Sequence, residues 1–346
     1  MRYDFAKMKT SCLANGGREM QLHIVMYHYV RNLSLSRYPA IKGLDAALFR
    51  RQIEYLKTHF SIVRMEDVLS AIDGGQLPDN AALLTFDDGY IDHYATAFPV
   101  LAEMGLQGSF FPPARVLEAP VMLDVNKIHF TLAAGDEGAL YQTLLDEIDF
   151  HRGTEFAIPD TKTLLERYAI PNRYDSREII FIKRMLQTVL PERLRGIIAD
   201  KLFKEYVCMS EAVFAKELYC DTNQLKTMKK YGMYLGLHGY NHGWLGNMEP
   251  NEYKKDINNA LDFMDSYGLI DKNAFVIAYP YGSWNDGVID YLGKNGGLAG
   301  LTSKIAVADL LTHDRLLLPR LDTNDFPPKS DNYKNYGTNL SLSKGG

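Results

Sequence analysis

The sequence predicts an α/β barrel that is interrupted by a helical insertion. Two blocks, residues 20–113 and 220–325, alternate apolar β-forming runs with helical patterns, and together they supply about seven predicted strands. Such alternation is typical of parallel strands covered by helices. Neither block alone has enough strands to close a sheet. One (β/α)7-type barrel built from both blocks is therefore the simplest architecture.

The first block opens with a strand and continues as strand–helix units. Residues 23–30 form a continuous apolar run, which is typical of a buried strand. A helix is predicted over 44–60 because Phe49, Ile53 and Leu56 recur at helical spacing. The remaining predictions in this block are a strand at 61–63, a helix at 66–72, a strand at 81–86, a helix at 91–103 and a strand at 107–111.

The second block repeats the pattern. Pro250 suits the first turn of a helix that we predict to end near Tyr267, before Gly268. The other predicted helices cover 223–230 and 286–294, and the predicted strands cover 233–237, 274–279, 298–302 and 316–321.

The segment between the blocks, residues 114–219, has a different pattern. Leucine-rich helical stretches at 179–190 and 194–206 are separated by Pro191. The segment is too long for a loop, so we predict a helical insertion, and its surface is a candidate for homo-oligomer formation. We expect residues 1–19 to be a disordered leader and the polar residues 326–346 to form a loosely ordered tail.

Composition excludes several classes of protein. The chain has 346 residues, 46% of them hydrophobic and 23% charged, with a net charge of −5. This balance argues against a nucleic-acid partner, which requires a basic patch. No apolar run is long enough for a transmembrane segment. Cys12, Cys208 and Cys220 have no zinc or redox spacing, so reduced thiols and a cytoplasmic or membrane-peripheral location are expected.

Four residues at predicted strand ends have the chemistry of a hydrolytic metal centre. Asp87 and Asp88 follow the strand at 81–86, and His238 and His242 follow the strand at 233–237. Alone, Asp-Asp-Gly is a good turn, and two histidines four apart are as often surface residues. Together, one carboxylate and two imidazoles suit zinc or a similar divalent ion, provided that 238–242 form a helical turn. The second carboxylate can then serve as general base toward a metal-activated water.

A further candidate lies in Tyr279-Pro280-Tyr281-Gly282, just after a predicted strand. Pro and Gly fix the backbone there, so a peptide N–H in this turn can form half of an oxyanion hole. An ordinary strand-to-helix turn is the alternative.

These residues resemble the motifs of the polysaccharide deacetylase family, which shares the NodB homology domain. Thr85-Phe86-Asp87-Asp88-Gly89 matches its first motif, and His238 to His242 resembles its His-x-x-x-His motif. The resemblance implies a distorted barrel and metal-dependent removal of an N-acyl group from an amino sugar. It also implies roles for five residues: Asp87 as general base, Asp88, His238 and His242 as metal ligands, and the Tyr281 N–H as oxyanion donor.

Two residues that the family's motifs supply must be sought at other positions in this chain. The third motif usually has an arginine three residues before its tyrosine, where this chain has Ala278. Arg320, near the last predicted strand, is our candidate to replace it. A Leu-x-His motif supplies the general acid in the family, and Leu311-Thr312-His313 fits those letters, so His313 is the predicted acid.

The resemblance implies a divalent metal, zinc with cobalt or nickel as substitutes, and an amino-sugar glycan as substrate. Because no secretion signal is recognised, a nucleotide- or lipid-linked precursor of such a glycan is the expected form. Two alternatives stay open. A two-His, one-carboxylate site also serves non-haem iron oxygenases, whose usual scaffold is an all-β jelly roll. A carbohydrate-binding relic that keeps the barrel is the other alternative, suggested by Ala278 in place of arginine.

Overall fold

A parallel sheet built from both sequence blocks is the framework of the molecule. The computed structural model describes residues 20–171 and 175–336. Its strands are β1 (Gln21–Tyr27), β2 (Val30–Arg31), β3 (Leu44–Asp45), β4 (Ser61–Ile62), β5 (Ala81–Asp87), β6 (Ser109–Phe111), β7 (Tyr234–Leu235), β8 (Phe275–Ala278), β9 (Gly297–Ile305), β10 (Ala308–Asp309) and β11 (Leu318–Asp322). The main path runs β7–β6–β5–β1–β11–β9–β8, and a parallel bridge from Leu237 to Ile277 joins its two ends. The predicted barrel is confirmed.

Strand β5 lies between β1 and β6, and every one of its residues is buried. A strand covered on both faces needs a continuous apolar sequence, which explains the run that precedes Asp87. Short strands β10 and β4 attach to β1 and β5, while β2 and β3 pair separately.

Helices of the two barrel blocks follow the predicted pattern. Asp45 caps the first of them by accepting a 2.9 Å hydrogen bond from the Ala47 N–H. Its predicted apolar stripe, Phe49, Ile53 and Leu56, is fully buried. These helices are Ala46–His59, Met65–Ile72, Phe98–Glu103, Thr222–Lys230, Pro250–Ser266 and Asp286–Lys294, and a π-helical turn at His93–Ala97 precedes the third. None of the helices within the described ranges has the length and apolarity needed to cross a bilayer.

Between the blocks the chain forms a group of helices with its own apolar core. The buried members of that core lie between Ile128 and Leu202. A second apolar cluster joins these helices to the barrel, where Tyr29 and Tyr90 meet Phe130. The helices are Ala114–Glu118, Asp124–Ala134, Glu137–His151, Thr161–Tyr168, Arg177–Arg184, Glu192–Leu202 and Glu211–Leu218, with π-helical turns at Met185–Val189 and Phe203–Val207.

The start of the predicted tail is packed rather than loosely ordered. Phe326 is fully buried, and its ring stacks on Tyr333 at 4.9 Å. The Tyr333 hydroxyl lies 2.8 Å from that of Tyr55 on the first helix. The prediction is therefore wrong for residues 326–336, because their aromatic rings cover the barrel. Residues 337–346, like the predicted leader 1–19, lie outside the described residues.

Candidate metal centre

Three buried side chains converge at the carboxyl ends of the strands. The Nε2 atoms of His238 and His242 lie 3.3 and 3.1 Å from Asp88 Oδ1, and the three side chains form a possible metal-binding group. Asp88 Oδ1 accepts no well-formed hydrogen bond from any described residue. Two ligands of a tetrahedral zinc ion at about 2.0–2.1 Å lie about 3.3 Å apart. The donor set and its spacing therefore fit a divalent metal.

A left-handed backbone turn places Asp88. Its φ is +74°, and its N–H donates to Phe111 O on β6 at 3.1 Å. Gly89 follows with φ +68°, and a Cβ at that position would lie 2.7 Å from the Pro112 Cβ. Glycine is therefore required there, and the turn rotates Asp88 away from the direction of Asp87. Non-glycine residues in this region are strained, and such strain concentrates at functional sites.

The loop that carries the histidines is not helical, so the two imidazoles converge without the helical turn that we took as the condition for it. Gly239 and His242 have φ values of +68° and +57°, which no α-helix contains. The buried carboxylate of Asp256 accepts hydrogen bonds of 2.8 and 2.9 Å from the Tyr240 and Asn241 N–H groups. A side chain far along the chain thus folds the loop so that both imidazoles still face Asp88.

Electrostatics favour an ionised Asp88. Burial alone would raise its pKa, but the two facing imidazoles hold that pKa well below its ordinary value. Burial lowers the pKa of His238, but Asp88 and Asp87 together raise it by more than burial lowers it. The net pKa of His238 therefore lies above its ordinary value. For His242, burial dominates and the pKa is lowered. His238 Nδ1 lies 2.7 Å from Ala278 O, to which it donates, and its Nε2 is therefore available to a metal.

The second carboxylate, Asp87, is paired with Arg320 on β11. The guanidinium donates from Nη1 to Oδ1 at 2.9 Å and from Nη2 to Oδ2 at 2.7 Å, and both side chains are buried. Its Nε–H donates to Thr302 O at 2.8 Å. Burial raises the pKa of Asp87, but Arg320 and His238 outweigh it and hold that pKa below its usual range. Arg320 thus occupies the position predicted for the arginine that is missing at Ala278.

Tyr281 lies beside the histidines in a left-handed turn with φ +57°. Its ring is 4.6 Å from that of His242 and stacks on Trp244 at 4.3 Å with an interplanar angle of 3°. A Cβ on Gly282 would lie 2.0 Å from Ser303 Oγ, so only glycine fits there. The turn therefore holds the ring of Tyr281 against His242.

A cavity of about 460 Å³ opens beside His242. Its barrel side includes Trp244 and Tyr281, and its other side is formed by helices of the 114–219 segment, including Asp124 and Arg195. A cavity of this size suits a small-molecule ligand, and aromatic rings next to polar groups suit a sugar.

His313 does not join the site, so its predicted role as general acid is wrong. Its Nδ1 accepts from the Asp309 N–H at 2.9 Å. Asp309 pairs with Gln21, the first residue of β1. Because Asp88 follows the carboxyl end of the parallel strand β5, His313 lies at the opposite end of the barrel.

Some residues that contribute to the site were not predicted from the sequence. Asp256 holds the histidine loop, and Tyr90 donates a 2.6 Å hydrogen bond to Asp88 Oδ2. The half-buried His129, whose Nδ1 lies 3.3 Å from the Tyr29 hydroxyl, interacts electrostatically with Asp88. Tyr90 stands directly after the Asp-Asp-Gly motif and was the one signal in the sequence that pointed to such a contact.

Comparisons with known proteins agree with the geometry. A model of the polysaccharide deacetylase family matches residues 198–298, which include both histidines and Tyr281 but not Asp87 and Asp88. No curated protein is significantly similar to the sequence.

Several solved structures share the fold. Streptococcus pyogenes deacetylase PplD in complex with acetate is 17% identical, with a TM-score of 0.57 over 92% of this chain and 97% of that one. IcaB from Ammonifex degensii is 17% identical, with a TM-score of 0.53 over 92% and 96%. A de-N-acetylase from Aggregatibacter actinomycetemcomitans is 17% identical, with a TM-score of 0.53 over 90% and 99%.

Proposed function

On the premise that this chain has the polysaccharide deacetylase fold and matches that family's model, we propose that it is a metal-dependent hydrolase that removes an N-acyl group from an amino sugar. The observation that carries the proposal is the convergence of Asp88, His238 and His242 next to a second carboxylate, Asp87, which pairs with Arg320. The substrate class follows from the family match and from the solved deacetylases that share the fold.

Asp87 is the proposed general base. Its lowered pKa keeps the carboxylate ionised at neutral pH, so it can accept a proton from the attacking water. Arg320 fixes both carboxylate oxygens, and the base therefore cannot rotate toward the neighbouring ligands. The Tyr281 N–H is the proposed donor to the acyl oxygen as it becomes negatively charged.

Asp88, His238 and His242 are the proposed ligands of zinc, with cobalt or nickel as substitutes. A divalent ion bound there would supply an activated water and polarise the acyl carbonyl. Because His313 is out of reach, the proton for the leaving amine must come from another group near Asp88.

Neither alternative from the sequence is favoured. The oxygenase hypothesis expects a jelly roll, whereas the sheet is parallel and covered by helices. The relic hypothesis depended on the missing arginine, and Arg320 now pairs with Asp87. The cytoplasmic location and the homo-oligomer remain predictions.

The direct test is acyl release. The metal-stripped protein is incubated with N-acetylated oligosaccharides, sugar nucleotides and lipid-linked sugars, with and without zinc, cobalt or nickel. We expect equal amounts of free amine and carboxylate from at least one substrate, and only after metal is added. Acyl release that does not depend on added metal would contradict the proposal, and so would the absence of release from every substrate with the metal-loaded protein.

The pH profile tests the Asp87–Arg320 pair. An Arg320→Gln variant removes the charge that opposes burial of Asp87, so the pKa of Asp87 rises and its ionised fraction at neutral pH falls. We expect the acid limb of the kcat/KM profile to move to higher pH, and kcat/KM at pH 7 to fall by about 10–100-fold. Arg31→Gln is the matched control, because Arg31 forms a similar two-bond pair with Asp92. If the acid limb of the kcat/KM profile does not move in Arg320→Gln, the assignment of Asp87 as the general base held by Arg320 is wrong.

A further inference from the structure

A chain of hydrogen bonds leads from the inserted helices to the proposed metal ligand Asp88. The Tyr90 hydroxyl donates to Asp88 Oδ2 at 2.6 Å. Asn126, on the inserted helix Asp124–Ala134, donates from Nδ2 to the hydroxyls of Tyr90 and Tyr29, each at 2.7 Å. Its Oδ1 accepts from the Tyr219 hydroxyl. Asn126 is fully buried, so each of these bonds replaces water.

The direction of each hydrogen bond is fixed. A tyrosine hydroxyl has one hydrogen, and that of Tyr90 points to Asp88, so Tyr90 must accept from Asn126. The Tyr219 hydroxyl accepts from the Leu123 N–H at 3.0 Å and gives its own hydrogen to Asn126 Oδ1. With Oδ1 engaged, the amide of Asn126 can orient only with Nδ2 toward Tyr90.

This network acts on the carboxylate oxygen that faces away from the imidazoles. Tyr90 holds Oδ2, and as a result Oδ1 is directed at the Nε2 atoms of His238 and His242. His238 is fixed by Ala278 O, whereas His242 Nδ1 has no hydrogen-bond partner among residues 20–171 and 175–336. Two of the proposed ligands, His238 and Asp88, are thus fixed by a hydrogen bond to the atom that does not face the ion. The hydrogen bond to Asp88 is the one that leads to the inserted helices.

We propose that Asn126 is a positioning residue of the metal centre, which acts through Tyr90 to aim Asp88 Oδ1 at the ion. This inference rests on the proposed function for the identity of the centre. It makes the inserted helices part of the site and not merely a neighbouring group. Outer-shell partners of metal ligands typically change metal affinity by about 10–100-fold, so the contribution is large enough to measure.

The test is zinc affinity, measured by competition with a chromophoric chelator. Asn126→Leu keeps the side-chain size but removes the hydrogen bonds, and Tyr90→Phe removes the bond to Asp88 itself. We expect each variant to bind zinc about 10–100-fold more weakly than the wild type. Visible absorption of the cobalt-loaded proteins should change in both, because the ligand field reports the orientation of Asp88.

A double-mutant cycle separates positioning from general packing. If Asn126 acts through Tyr90, the double variant should bind zinc no more weakly than Tyr90→Phe alone. Thr131→Val is the matched control, since Thr131 is buried on the same helix and its Oγ1 has no hydrogen-bond partner in the described part of the chain. Its zinc affinity should stay within about threefold of the wild type.

Wild-type zinc affinity in Asn126→Leu, or additive losses in the double variant, would overturn the inference. Thermal melting identifies variants that fail to fold. If Asn126→Leu is one of them, Asn126→Ser replaces it, and the same outcomes support or overturn the inference. A wild-type chain that binds zinc but releases no acyl group would refute the proposed function and leave this inference standing.

Discussion

An Asp87→Asn variant is expected to lose turnover while it keeps its metal. A general base contributes about 10²–10⁴-fold to a rate, and an amide cannot accept the proton from water. The metal should remain because Asp87 is bound to Arg320 and is not one of the three converging ligands. We therefore expect kcat to fall by about 10²–10⁴-fold, with metal content by elemental analysis equal to that of the wild type.

The control for this variant is Asp92→Asn. Asp92 is a buried carboxylate that also pairs with an arginine by two hydrogen bonds, of 2.7 and 3.0 Å to Arg31. It should lose a similar ion pair and melt at a lower temperature, with kcat within about threefold of the wild type. Substantial turnover in Asp87→Asn would rule out Asp87 as the base, and loss of its metal would make it a ligand.

Replacing His238 by alanine is expected to abolish both metal binding and activity. Its Nε2 faces Asp88 Oδ1, and its other nitrogen is held by Ala278 O, so a replacement side chain cannot restore the donor. A metal supplies several kcal/mol of transition-state stabilisation, and each 1.4 kcal/mol is a factor of about ten. We therefore expect activity to fall by about a thousandfold or more.

His313→Ala is the informative comparison for this variant, since His313 lies at the other end of the barrel. Zinc content and kcat should both be close to those of the wild type. If His238→Ala retained a full equivalent of zinc, the three-residue centre would be the wrong assignment. A loss of activity in His313→Ala would restore a role for the motif that suggested it.

Much of the fold and the centre follows from local patterns. The stripe of Phe49, Ile53 and Leu56 predicts a buried helical face, because helical spacing is set by the backbone alone. Asp87 and Asp88 come together with the histidines because the carboxyl ends of parallel strands meet at the same edge of a barrel.

The failures involve contacts that local patterns do not encode. Leu-Thr-His has the letters of an acid motif, but the pairing of Asp309 with Gln21 puts His313 at the wrong end. The conformation of residues 238–242 is set by Asp256, which lies on a later helix. Asn126 lies in a segment where the sequence suggested no motif, and its proposed role depends on the hydroxyls of three tyrosines distant from it in the sequence.

The three proposed ligands are separated in the sequence by the inserted helices: Asp88 belongs to the first block, and both histidines belong to the second. Domains fold from the N-terminus during synthesis, so an ion can be captured only once the last histidine has left the ribosome. Captured at that stage, the ion would clamp the early and late parts of the barrel together and stabilise the finished molecule. Supply of the metal would then govern how long the protein survives in the cell as well as its rate of turnover.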